Sequence, residues 1–158
     1  MWATPFRAAW DSGDPSVLVA AFAPDIVLHS PLISEPFRGK DEVEALYQVI
    51  FDVMKDVEFT DELTGESAHA FFWRARVGGR PVEGVDLLRP GPGDTIAEIT
   101  VMCRPLAGAA AFASAAGPPL ARRRGATNGV LITALGKPLP HLLALGDRAA
   151  VRLVKPGG

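Results

Sequence analysis

Apolar residues at helical spacing open the chain. Residues 5–12 (PFRAAWDS) read as a first helix closed by Gly13, and residues 15–22 as a second. Asp14 suits the N-cap of that second helix, and Pro15 suits its first position, where no N–H is needed. Pro24 lies beyond its end. Residues 26–30 then alternate, with Ile26, Leu28 and Ser30 on one face and Val27 and His29 on the other. After Gly39, a stripe of Val43, Leu46, Tyr47, Ile50, Phe51 and Met54 predicts a long helix over 41–55. From there to Arg104 the pattern changes to a period of two. It predicts strands over 57–64, 68–77, 81–89 and 95–104. Gly78-Gly79 and the PGPGD segment are tight turns, so these strands pair antiparallel.

The pattern changes again after Pro105. Residues 106–116 (LAGAAAFASAA) are Ala-rich and helix-prone, GPPLARRRGATNG reads as an exposed linker, and the tail from Val130 is apolar. Gly136-Lys137-Pro138 is expected to break that tail into two short helices. The chain therefore divides into a domain over 1–105 and an extension over 106–158. The extension is expected to pack on the domain or on a dimer partner. Its alternatives are a plug in a cavity mouth, or a short amphipathic segment lying on a membrane. Lys137 and Asp147 do not supply the basic face that a membrane surface prefers. Helices followed by a meander imply an α+β fold: a cone-shaped, curved antiparallel sheet covered by the N-terminal helices, with an apolar pocket between.

Composition narrows the function classes. The 158 residues are 48% hydrophobic and 22% charged, with a net charge of −2. No basic face for nucleic acid follows from that balance, and the Arg122-Arg123-Arg124 run lacks interleaved aromatics. The one cysteine, Cys103, excludes an internal disulfide and a multi-cysteine metal site. Three well-separated histidines form no HxH or HExxH pattern, and no GxSxG, Walker or GxGxxG motif is present. No metal or cofactor is expected. The start, MWATPFRAAWDSGD, has no signal-peptide character, and no apolar run reaches membrane-spanning length. A cytoplasmic protein is the expectation.

Three segments, WDSGDPSVLVAAFAPDI, HSPLISEPFRGKDEV and GRPVEGVDLL…GDTIAEITVMCRP, together with the element order, resemble the nuclear transport factor 2-like (cystatin-like) superfamily. Ketosteroid isomerases, SnoaL-type polyketide cyclases and limonene epoxide hydrolases belong to it. The resemblance covers about residues 5–105 and implies a homodimer built on the outer sheet face. In ketosteroid isomerase the segment matching HSPLISEP carries an aspartate base before the proline, and a tyrosine and a protonated aspartate form the oxyanion hole. Here the base position is Ser30, and the oxyanion-hole tyrosine is Phe6. Phe22 replaces a supporting tyrosine, Tyr47 matches the third tyrosine of that network, and Asp86 matches the oxyanion-hole aspartate. Ser30 has no ionisation near neutral pH and Phe6 cannot donate to an enolate. A true ketosteroid isomerase is therefore disfavoured.

The residues themselves leave alternatives. Alternation in VEGVDLLRP sets Asp86 beside Val82, Gly84 and Leu88, either as a pocket acid with a raised pKa or as a rim carboxylate paired with Arg74 or Arg104. Tyr47 either offers its hydroxyl to a ligand or fills the core. Phe71 and Trp73 share a face that looks into the cone, as ligand contacts or as core. His69 lies on that same face at the start of its strand, as a third pocket group or at a rim, whereas His29 points away from Ser30. Trp10, one turn from Phe6, lines the cavity or packs in the core, and Cys103 reads as a buried, inert thiol. The expected function is a cofactor-free, SnoaL-like enzyme of isomerase, cyclase or hydrolase type acting on a hydrophobic ligand. Asp86, Tyr47 and His69 are its candidate catalytic groups. Phe6, Trp10, Phe22, Ser30, Phe71 and Trp73 are its candidate ligand contacts. The alternatives are a non-catalytic binding protein for such a ligand, or a dimerisation module.

Overall fold

Alternation along one strand fixes which way the sheet faces. In β4 (His69–Val77), His69, Phe71, Trp73, Ala75 and Val77 are buried, while Arg74 and Arg76 are exposed. The two-residue turn at Gly78-Gly79, with φ of +56° and +77°, returns the chain into β5 (Arg80–Pro90). Both φ values lie where a Cβ is disfavoured, which is why two glycines stand there. A computed structural model describes residues 1–123 and 138–154 of the chain. The other strands are β1 (Phe22–His29), β2 (Phe37–Arg38), β3 (Met54–Thr64) and β6 (Ile96–Arg104). They form one curved, unclosed sheet of six strands in the order β2-β1-β6-β5-β4-β3. Four pairings are antiparallel, and β1 runs parallel to β6.

Three helices cover the concave face: α1 (Thr4–Ser12), α2 (Pro15–Ala20) and α3 (Lys40–Val53). Asp14 caps α2 by accepting the Ser16 N–H at 2.9 Å, and Pro15 occupies the first turn. The α3 stripe buries Val43, Leu46, Tyr47 and Ile50 against the sheet. Each such side chain contributes about 1.5–3 kcal/mol relative to exposure. Aromatic rings from α1, α3, β1, β3 and β4 pack together in the core. Phe6 stacks on Phe71 with centroids 4.9 Å apart and meets the edges of Phe59 and Tyr47. Phe22 tilts against Tyr47 at 5.7 Å.

The extension departs from its sequence pattern. The helix expected to stop at residue 116 runs on as α4 (Leu106–Arg123), with Pro118 and Pro119 inside it. Residues 117–123 are therefore helix and not exposed linker. Pro118 is buried, so packing outweighs the local helix-breaking preference. Among the described residues of the tail, Leu139–Val154 form α5, which packs on α4. The part of the expected linker from Arg124 and the tail up to Lys137 lie outside the described residues.

Candidate functional site

Between α3, α4 and the sheet lies a cavity of about 730 Å³. Its floor is Trp73 from β4, Val82 and Asp86 from β5, and Val101 and Cys103 from β6. Leu46, Tyr47 and Ile50 of α3 form one wall. The segment after β1 supplies Ser30, Leu32, Ile33 and Phe37, and α4 supplies Phe112, Ala116 and Leu120. Most of the lining is apolar. The polar groups on the floor side are few, and they stand close together.

Asp86 reaches the floor through strand register. It pairs with Phe71 on β4 and Val101 on β6, so its side chain shares the face of Val82 and Leu88. Only 7% of the residue is exposed. Neither arginine that could neutralise it does so, because Arg74 and Arg104 both pair with Glu83 on the opposite face. Burial pushes the Asp86 carboxyl up to about 7, and the nearby Trp73 indole opposes part of that rise. The indole Nε1 is itself buried, and its interaction with Asp86 falls short of full hydrogen-bond geometry.

Two further groups sense Asp86. Burial holds the Tyr47 phenol well above its ordinary pKa, and the Asp86 charge adds to that effect. Cys103 is raised in the same way, first by burial and then by Asp86. Gly84 makes room for the Trp73 ring. It lies opposite Trp73 on β4 and Cys103 on β6, and a Cβ there would come within 2.5 Å of the indole Cζ2 and of the Met102 carbonyl. The missing side chain is what lets the ring lie across β5.

Not every candidate residue meets the cavity. Trp10, Ser30, Tyr47, Trp73 and Asp86 line it. Trp10 also stacks on Phe51 at 4.0 Å, and Ser30 Oγ accepts the Leu32 N–H at 3.2 Å. Phe6, Phe22 and Phe71 are buried in the aromatic cluster and are absent from the lining. The structure also puts His69 elsewhere. Its Nε2 lies 2.7 Å from Glu62 Oε1 and its Nδ1 lies 3.1 Å from Thr64 Oγ1. The Trp2 edge and the Phe71 ring enclose it. With both ring nitrogens engaged at the strand end, this imidazole joins β3 to β4 and does not face the cavity. His29 is on the outer face, 4.0 Å from Glu98. Sequence reasoning missed Cys103 and α4 as cavity wall. Cys103 shares the β6 face of Val101, which could have signalled it; α4 carried no such mark.

Residues 3–104 match the SnoaL-like domain, and the chain belongs to that family, within the nuclear transport factor 2-like superfamily. No curated protein matches the chain. Among solved structures it is similar to a steroid delta-isomerase from Pseudomonas aeruginosa, with 25% identity and a TM-score of 0.69 over 80% of this chain and 90% of that one. A cystatin-like protein from Silicibacter pomeroyi shares 23% identity and a TM-score of 0.62, over 70% of this chain and 76% of its own. A SnoaL-like polyketide cyclase from Shewanella denitrificans shares the fold at 14% identity and a TM-score of 0.53, over 65% of this chain and 88% of its own. Among the described residues no helix is long and apolar enough to cross a membrane, and no His, Cys, Asp and Glu cluster could hold a metal ion.

Proposed function

We propose that this protein is a cofactor-free acid–base enzyme of the SnoaL-like type, acting on a small apolar molecule held in the cavity, with Asp86 as the proton-transferring group. One observation carries the reading: a buried carboxyl with no cationic partner on the floor of an otherwise apolar cavity, where burial pushes its pKa up to about 7. A group titrating at the working pH both takes and returns a proton readily, and such catalysis contributes about 10²–10⁴-fold in rate. Tyr47, on the neighbouring wall, keeps its proton and serves as a donor to an oxygen of the substrate. The similarity to a steroid delta-isomerase supports an isomerase-type proton transfer.

An apolar bicyclic ketone, 2-decalone, tests this in ²H₂O with NMR detection. Asp86 as carboxylate removes an α-proton, the electron pair moves into the enolate, and the exchanged acid returns deuterium to carbon. The wild type should accelerate exchange, with a rate that rises through about pH 7 as the carboxylate forms. Asp86→Asn should lose about 10²-fold or more. Equal rates in the two proteins, with the ketone bound by both, would overturn the catalytic reading.

That result would favour a binding protein without turnover. Ser30 is engaged by the backbone and Phe6 lies in the core, so neither adds a second catalytic group. As a homodimer, the protein would use the outer sheet face, where Phe72, Val85 and half-exposed Met102 adjoin Arg74, Glu83 and Arg104. A dimer mass by light scattering, lost in Met102→Glu, supports that assembly.

A further inference from the structure

The family match ends at residue 104, yet the cavity does not. From α4 it takes Phe112, Ala113, Ala116, Gly117, Leu120 and Ala121. These positions recur at one and four residues, so they lie on one face of the helix. Four of the six carry nothing beyond Cβ. The cavity therefore extends nearly to the helix backbone.

α4 is held in that position at both ends. Near its start, Gly108 is buried, and a Cβ there would lie 2.7 Å from the Pro81 carbonyl and 3.2 Å from Val82 Cβ. The helix thus sits directly against β5. At its far end the Arg123 guanidinium donates to Gln48 Oε1 of α3 at 2.9 Å. α5 packs on α4, with Pro140 buried. Across the cavity stand Asp86, 7% exposed and without an arginine partner, and Trp73, whose buried Nε1 interacts with Asp86 short of full hydrogen-bond geometry. These are polar groups of the kind a ligand satisfies.

We propose that α4 is the specificity wall of the site: its small residues Ala113, Ala116 and Gly117 admit a bulky, multi-ring apolar ligand between the helix backbone and the Trp73–Asp86 floor. The inference rests on the reading of the cavity as a ligand site, but not on catalysis by Asp86. About 730 Å³ falls in the upper part of the range for sites that enclose drug-sized molecules. Larger side chains on this face would fill the space that such a ligand needs and leave room only for a single ring.

Two variants and two probes test it on the full-length chain. N-phenyl-1-naphthylamine reports bulky binding by fluorescence, and cyclohexanone reports small-ligand binding by saturation-transfer NMR. Ala116→Leu should weaken the bulky probe at least 10-fold and cyclohexanone less than 3-fold, with the thermal midpoint monitored alongside. Ala113→Leu, at a partly exposed position, gives the same comparison should Ala116→Leu not fold. Unchanged affinity for the bulky probe in a folded variant overturns the role of α4 while leaving the site reading intact. Failure of the wild type to bind either probe overturns the site reading, and this inference with it.

Discussion

Substituting Asp86 by asparagine should make the protein more stable at neutral pH, and by an amount that depends on pH in a defined way. In the unfolded chain the carboxyl titrates near its ordinary value of about 3.9. In the folded protein burial raises it to about 7. Folding therefore favours the protonated form. Below about pH 4 both states hold the proton, and the group imposes no penalty. As pH rises the unfolded state ionises first, so stability is lost from about pH 4 and the loss is complete just above pH 7. A difference of about 3 units at 1.36 kcal/mol each amounts to roughly 4 kcal/mol. Relaxation around the buried charge makes that an upper figure. Asparagine has nearly the same shape and cannot ionise. Urea denaturation of both proteins at pH 4, 5.5, 7 and 8.5 measures the effect. The stability difference, Asp86→Asn minus wild type, should rise by about 2–4 kcal/mol between the lowest and highest pH. A difference that stays flat within about 0.5 kcal/mol would refute the placement of a carboxyl without a cationic partner in a buried, apolar setting.

Three more perturbations separate the roles of neighbouring residues. Gly84→Ala should displace the Trp73 ring, costing about 1–3 kcal/mol in urea denaturation and shifting the tryptophan emission; wild-type stability and emission would refute the packing argument. Tyr47 is the one tyrosine of the sequence, so ultraviolet titration reads it directly. Its ionisation should be delayed well beyond pH 10 in the native protein and occur earlier in Asp86→Asn, which removes one of the two causes of its shift. His69→Ala should cost about 2–3 kcal/mol through loss of the Glu62 and Thr64 contacts, with ketone exchange retained in the folded fraction. Loss of exchange at full stability would return His69 to the catalytic set.

Much of the floor of the cavity could be read from alternation alone. The period of two in β4 and β5 puts Trp73 and Asp86 on one face, because strand side chains alternate whatever the neighbours are. What alternation cannot tell is depth along the strand. His69 shares the face of Trp73, yet it sits opposite Thr64 at the strand end and is taken up by the β3 side chains there. The parallel pairing of β1 with β6 joins segments about 70 residues apart and leaves no local signature. Cys103 looked like core because an apolar strand face reads the same against a cavity as against packed side chains. At α4 the local signals misled: GPPLARRR reads as a break, but the helix continues across the cavity because its packing partners lie far away in sequence.

Catalysis by Asp86 requires that it face an apolar ligand cavity with a carboxyl that titrates at working pH. Site-resolved ¹³C carboxyl NMR titration, with Asp86→Asn to assign the resonance, measures it most directly. The midpoint is expected at about 7, with the Tyr47 ring resonances following the same transition. A midpoint at or below the ordinary carboxylate value of about 3.9 would contradict it, because the carboxyl would then be solvated or ion-paired and unable to move a proton at neutral pH.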